Sequence, residues 1–190
     1  MELNIISPDT SKVWQYADIE NFDEDFLCEI INGELYMSPS PNKNHQRVVF
    51  KLAKLFDKYI SKTGSGEIFL APLDVKLDDK NVAQPDIIYL SKTNPANNDE
   101  NIIVGAPDLV LEVVSPYSVR RDYYAKLKMY EKFRIPEYWI VDPANQVIEV
   151  FGFKNTPEYE LLSTAVIKGE VQSIMLEGLK VSLEEIFENE

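Results

Sequence analysis

Apolar positions change their spacing several times along the chain, and each change predicts an element. TSKVWQYAD suits a short opening helix with Thr10 or Ser11 as its cap. FLCEII and ELYMS are short apolar-rich runs on either side of Asn32-Gly33. They predict a β-hairpin with a two-residue turn, closed off by Pro39 and Pro41. From about residue 42 to 61, Val48, Val49, Leu52, Leu55, Phe56 and Tyr59 recur at spacings of three and four, the period of an amphipathic helix. Gly64 and Gly66 end it.

Strands dominate the chain beyond Gly66. EIFLAP is extended, and LDVKL alternates apolar with polar positions before a turn at DDKN. QPDIIYL reads as a strand starting at Pro85, where a missing N–H does least harm. SKTNPANNDEN is a polar loop. GAPDLVLEVVSP is nearly continuous in apolar residues, as expected of a central strand covered on both faces. VRRDYYAKLKMYEKFR predicts a helix of about four turns ended by Ile135-Pro136. EYWIVD and QVIEVFGF predict a hairpin through Asp142-Pro143. YELLSTA and EVQSIML suggest a further strand pair, and Ser182 caps a closing helix in SLEEIFENE. The strand–helix–strand run over 107–142 implies one parallel crossover in a largely antiparallel sheet. The expected class is α/β with a mixed sheet, and 190 residues suit a single domain over 1–190.

Composition narrows the chemistry. No apolar run approaches the roughly 20 residues that span a bilayer, and MELNIISPDTSK lacks a signal-peptide layout. The expected setting is cytoplasmic, away from membranes. Cys28 is the single cysteine, and one histidine rules out a multi-histidine zinc site. Neither a glycine-rich phosphate loop nor a nucleophile-elbow serine is present. The net charge of −13 opposes tight nonspecific binding to nucleic acid, although the bases gathered between Arg120 and Arg134 would allow a local basic surface.

Two strand acids stand out. Asp86 heads one strand, and Glu112 sits inside Leu109–Val114, where an unpaired carboxylate is costly to bury. Glu112 either forms a buried ion pair, with Lys126 the candidate, or joins Asp86 around a hard cation such as Mg²⁺. Asp108 shares a strand face with Glu112, so it is an alternative second ligand or else a strand-entry turn residue. Asp122, Lys126 and Tyr130 fall on one helix face, either reaching the carboxylates or lying solvated. Lys128 lies about 200° round the helix from Lys126, so only one of them can face the site. His45 is a helix-start surface residue or a site residue. Glu29 and Glu34 on the hairpin carry the same ambiguity.

Taken in order, CEIINGELYMSPSPNKNHQ, QPDIIYL, GAPDLVLEVVSP, RRDYYAKLKMY and IPEYWIVDP resemble the Uma-two family of restriction endonuclease-like proteins, in the PD-(D/E)XK nuclease superfamily. The resemblance spans residues 10 to 155. It implies a restriction endonuclease-like fold, a central mixed sheet flanked by helices, and homodimers. Asp86 matches the family's first acid and Glu112 its second. Val114 stands where the superfamily usually has lysine, and Lys126 matches a lysine supplied from the next helix. His45 and Gly33-Glu34 match recurrent positions. The implied activity is Mg²⁺- or Mn²⁺-dependent hydrolysis of DNA, with Asp86, Glu112 and the Val113 carbonyl on the metal and Lys126, His45 and Glu34 assisting. A catalytically inactive nuclease-fold protein acting in binding or assembly is the rival reading, and a hydrolase of small phosphoesters is a third.

Overall fold

The computed structural model describes residues 11–20, 22, 27–37, 40–96 and 101–188. A short helix α1 (Tyr16–Ile19) precedes the hairpin β1 (Cys28–Ile31) and β2 (Glu34–Met37). The long helix α2 (Lys43–Thr63) leads to β3 (Gly66–Leu70), β4 (Val75–Asp78), β5 (Asn81–Ala83) and β6 (Ile87–Ser91). Next come β7 (Ile103–Val104) and β8 (Leu109–Val113), then a π-helical segment (Arg121–Lys126) running into α3 (Leu127–Lys132). The chain continues through β9 (Glu137–Asp142), β10 (Val147–Gly152), β11 (Glu160–Val166), β12 (Glu170–Gln172), β13 (Lys180–Ser182) and α4 (Leu183–Phe187).

Two larger sheets carry the architecture. Six strands run in the order β11-β10-β9-β8-β6-β3, antiparallel except for β8 beside β9. That parallel pair is the crossover expected from the strand–helix–strand run. Five strands run in the order β2-β1-β5-β4-β7. The apolar run at β8 is central, and all five of its residues are buried. Its alternation divides two layers. Leu109, Leu111 and Val113 face α2 with Trp139 and Val141, and the Phe56 and Trp139 rings meet edge to face at 5.6 Å. Val110 and Val114 face the other way, packing with Met129, Tyr130, Tyr138 and the hairpin residue Ile31. Glu112 shares this second face, because side chains two apart on a strand point together.

Local signals explain the ends of elements. Asn32 and Gly33 have φ of 53° and 81°, the left-handed pair of a two-residue hairpin turn. Asn42 caps α2 through the His45 N–H, and Gly64 ends it in the left-handed conformation. The opening helix starts later than the sequence predicts, at Tyr16. Ser11 lies outside it and Thr10 outside the described residues. Trp14 N–H instead bonds Gly33 O and the ring sinks into the hairpin cluster, so 13–14 stay out of the helix. Pro39 also lies outside the described residues.

Two expectations change. The segments at YELLSTA and EVQSIML do not pair with each other. β11 occupies the open edge of β10, and β12 pairs with β13 after the chain turns through Ile167 and Gly169, both at positive φ. The helix after β8 is not α throughout, since Arg121–Lys126 is π-helical.

Glu137 ties the C-terminal segment onto the main sheet. Its carboxylate is fully buried and accepts from Trp139 Nε1, Ser173 Oγ, Ile174 N and Met175 N, at 2.6 to 2.9 Å. Removing the acceptor strands several donors at once. Glu137→Ala should cost about 3 kcal/mol in urea unfolding, and a loss under about 1 kcal/mol would show that water replaces the carboxylate there.

Candidate active site

The antiparallel register of β6 against β8 pairs Ile87 with Leu111. One step further along, Asp86 stands opposite Glu112. Both residues line a cavity of about 530 Å³ together with Glu29, His45, Val113 and Lys126. Its walls come from the strand heads, the start of α2 and the π-helical segment.

Asp86 is held by two donors. Its Oδ2 accepts the Val113 N–H at 2.8 Å and lies 3.2 Å from His45 Nε2. His45 sits in the first turn of α2, and its buried ring lies against the Val113 carbonyl. Burial lowers the His45 pKa, but Asp86 and the Val113 carbonyl outweigh it, so the net shift is upward.

Glu112 is held from the helix. Lys126 Nζ lies 2.7 Å from Glu112 Oε1, and the Tyr130 hydroxyl donates to the same oxygen at 2.8 Å. Lys126 Nζ also lies 2.7 Å from Glu29 Oε1, which accepts the Gln84 N–H as well. Arg121 reaches Glu29 Oε2 at 3.4 Å, and Asp122 stands 3.8 Å from Lys126. The π-helical turn makes this possible. In an α-helix Arg121 and Lys126, five apart, would diverge by about 140°. The i→i+5 pattern brings them nearly into line, so both reach Glu29.

Four carboxylates therefore meet two permanent cations. Burial pushes the Glu112 carboxyl well above its usual range, against the pull of Lys126 and with help from Asp122, Glu29 and Asp86. Burial raises Asp122 too. Glu29 shifts down, because Lys126 and Arg121 overcome the effect of burial. Lys126 is raised: burial favours the amine, but Glu112, Glu29 and Asp122 favour the ammonium more strongly. Lys126 is thus a charged donor and a poor base.

Each of the two strand acids keeps one oxygen free. Among the described residues, Asp86 Oδ1 and Glu112 Oε2 accept no hydrogen bond, while Oδ2 and Oε1 are engaged. Two carboxylates plus the Val113 carbonyl form an all-oxygen donor set, which suits a hard cation that also keeps waters. Among the described residues no three His, Cys, Asp or Glu side chains form a ready ligand cluster. Any remaining donors would therefore be backbone, water or phosphate oxygens.

Among known proteins, residues 13–184 match the profile of the Uma2 family, described as "Putative restriction endonuclease". The chain belongs to the Uma2 family. No curated protein matches it. A solved structure titled as a putative nuclease belonging to DUF820, from Anabaena variabilis, superposes with a TM-score of 0.70 at 20% identity. The match covers 84% of this chain and 89% of that one. At that identity the likeness speaks for the fold alone, a mixed α/β architecture.

In this Uma2 chain the structure gathers Asp86, Glu112, Val113, Lys126 and His45, all named from the sequence. It leaves Glu34 out. Glu34 shares a hairpin face with Glu29 but stands at the turn, exposed, accepting from the Tyr36 hydroxyl. Glu29, two steps along β1, takes the place beside Lys126. Asp108 is a turn residue that accepts from Ser91 N and Asn94 Nδ2 at the far end of β8. Lys128 points outward to Glu131, as the helix angle requires. Val114 packs in the apolar cluster with Met129 and Tyr130. Arg121 was missed, because its approach depends on the π turn.

A carboxyl whose folded pKa is raised stabilises the fold below its unfolded value, and that contribution fades as pH climbs through the folded value. Without divalent cation, Glu112→Gln should therefore match wild type near pH 4 and become the more stable protein as pH rises. The gap should grow by about 1.4 kcal/mol per pH unit between the two pKa values. Thermal melts at several pH values check this, and a gap that is flat with pH would refute the strained carboxylate.

Proposed function

We propose that the chain hydrolyses DNA phosphodiester bonds with Mg²⁺ or Mn²⁺ held by Asp86, Glu112 and the Val113 carbonyl. The observation that carries this reading is that Asp86 and Glu112 line one cavity with an excess of negative charge, each with an oxygen, Oδ1 and Oε2, that accepts no hydrogen bond among the described residues. Membership of the Uma2 family supports the nuclease chemistry.

When bound, a divalent cation supplies charge neutralisation at a phosphoryl oxygen and eases deprotonation of water. The chain's own residues do the positioning. His45 and the Val113 N–H fix Asp86, while Lys126 and Tyr130 fix Glu112 through Oε1 and leave Oε2 unengaged. Lys126 stays charged, so it offers anionic oxygens an N–H and accepts no proton from water. Preorganised donors in a partly dry cavity are the kind of arrangement from which phosphoryl transfer gains most.

One observation favours a non-catalytic nuclease fold instead. Lys126 is already engaged by two carboxylates at 2.7 Å, as a structural ion pair would be, although Glu29 Oε2 and Asp122 Oδ1 accept no hydrogen bond among the described residues. Cleavage of supercoiled plasmid in Mg²⁺ or Mn²⁺ separates the readings. Asp86→Ala and Glu112→Gln should abolish nicking while leaving the circular dichroism spectrum unchanged. Cleavage that persists in both variants would sink the assignment. Titration calorimetry adds an independent readout: folded protein that takes up no Mn²⁺ at millimolar concentration would favour the non-catalytic protein.

A further inference from the structure

The chain as a whole carries −13, yet α2 holds six cations and a single acid, Asp57. Lys43, Arg47, Lys51, Lys54, Lys58 and Lys62 follow one another at spacings of three and four. At 100° per residue they fall within an arc of about 100°, on the side away from Val48, Val49, Leu52, Phe56 and Ile60, which are buried in the core. The helix is about 31 Å long at 1.5 Å per residue. Asn42, His45 and Gln46 at the start of the helix line the candidate active-site cavity, and Lys43 and Arg47, which begin the stripe, stand beside them outside its lining.

Stability accounts for only part of the stripe: Lys62 suits the negative end of the helix dipole and Lys54 lies over the Phe50 ring. Among the described residues, none of the six pairs with a carboxylate. Arg47 bonds Asn44, and Lys51 donates to the backbone oxygens of Glu185 and Glu188. Lys43/Arg47, Arg47/Lys51, Lys54/Lys58 and Lys58/Lys62 are like-charge i,i+4 neighbours, which destabilise a helix. Lys43 sits at the positive end of the helix dipole, with no acid in that turn to offset it.

We infer that this face of α2 is a track for the phosphodiester backbone of a nucleic-acid duplex, leading into the cavity. The inference rests on the phosphodiester reading of the site and adds where the flanking duplex lies. Regularly spaced cations suit regularly spaced phosphates, and their contacts release counterions. An anionic membrane is a poorer occupant. Lipid insertion needs an apolar face, whereas the apolar face of α2 is in the core and Phe50 is the one large exposed apolar side chain on the stripe. Part of the track is shielded: Glu184 and Glu185 of α4 and Glu188 just after it line a groove of about 500 Å³ with Lys51, Lys54 and Lys58.

The test uses fluorescence anisotropy of a labelled DNA duplex of roughly 20 base pairs, long enough at 3.4 Å per step to cover the helix. It is run in EDTA over a salt series, so that no turnover intervenes. The triple variant Lys54→Gln, Lys58→Gln, Lys62→Gln should bind roughly tenfold to a hundredfold more weakly, with a log K–log salt slope shallower by about 2 to 3. Glu185→Gln with Glu188→Gln should bind more tightly. A control carrying Lys132→Gln, Lys154→Gln and Lys168→Gln, exposed on other elements, should match wild type. Equal losses in the stripe and control variants would make the stripe an ordinary solvated face. Wild type that ignores the duplex but binds phosphatidylserine vesicles would overturn the inference in favour of a membrane. Plasmid cleavage separates this test from the site reading. Loss of nicking in Asp86→Ala with an unaffected stripe variant would refute the track alone. A stripe-dependent affinity with Asp86-independent cleavage would refute the site alone.

Discussion

A lysine ammonium shut away from water between two carboxylates is the constraint on which the rest of this molecule turns. Lys126 is 2% exposed and lies 2.7 Å from both Glu29 and Glu112. Desolvating such ions costs several kcal/mol each, and the Coulomb attraction returns it only when the geometry is tight and other lone pairs are met. Here Tyr130 bonds Glu112, and Gln84 and Arg121 meet Glu29. The network joins three separate pieces of chain: the hairpin, the central strand and the helix that follows it. If any one of them shifted, buried charge would be left uncompensated, so the site's geometry is tied to the packing of all three pieces.

That coupling explains how the two faces of the central sheet share the work. On one face α2 makes a plain apolar contact and brings His45 to Asp86 at its first turn. On the other, Glu112 turns toward the π-helical segment and the hairpin. The acids meet at the strand heads, where both faces are within reach and the ladder gives way to side-chain bonds. Asp86 takes the Val113 N–H as its own partner, which holds it beside Glu112 without closing the cavity.

Most of the fold was legible in the sequence because it follows local periodicity. The Asn32-Gly33 turn, the three-and-four spacing of α2 and the apolar run at β8 each point one way. The strand acids were legible for a related reason, since a carboxylate in an apolar run requires a partner. What escaped depends on departures from regular geometry. At 3.6 residues per turn Arg121 points away from Lys126, and only the π turn reunites them. Asn32-Gly33 puts Glu34 at the turn, but nothing in the sequence says that Glu29 lies within reach of Lys126. The late pairing of β12 with β13 depends on turns at Ile167 and Gly169, and a positive φ at isoleucine carries no signature.

Charge was the point at which a bulk property misled most. The segment between Arg120 and Arg134 looks basic, yet Arg121 and Lys126 are consumed inside the site and Lys128 pairs with Glu131. Six cations without a carboxylate partner among the described residues are on α2, where spacings of three and four align them along one face. Apart from α2 the chain carries an excess of 18 negative charges. Such a surface repels a polyanion from most directions. A narrow cationic stripe on that background favours one approach, since screening over about 8 Å at physiological salt separates the stripe from distant acids. On the proposed reading, the acidity that argued against nucleic acid would act on orientation as much as on affinity, confining a polyanion to the face that starts beside Asp86 and Glu112.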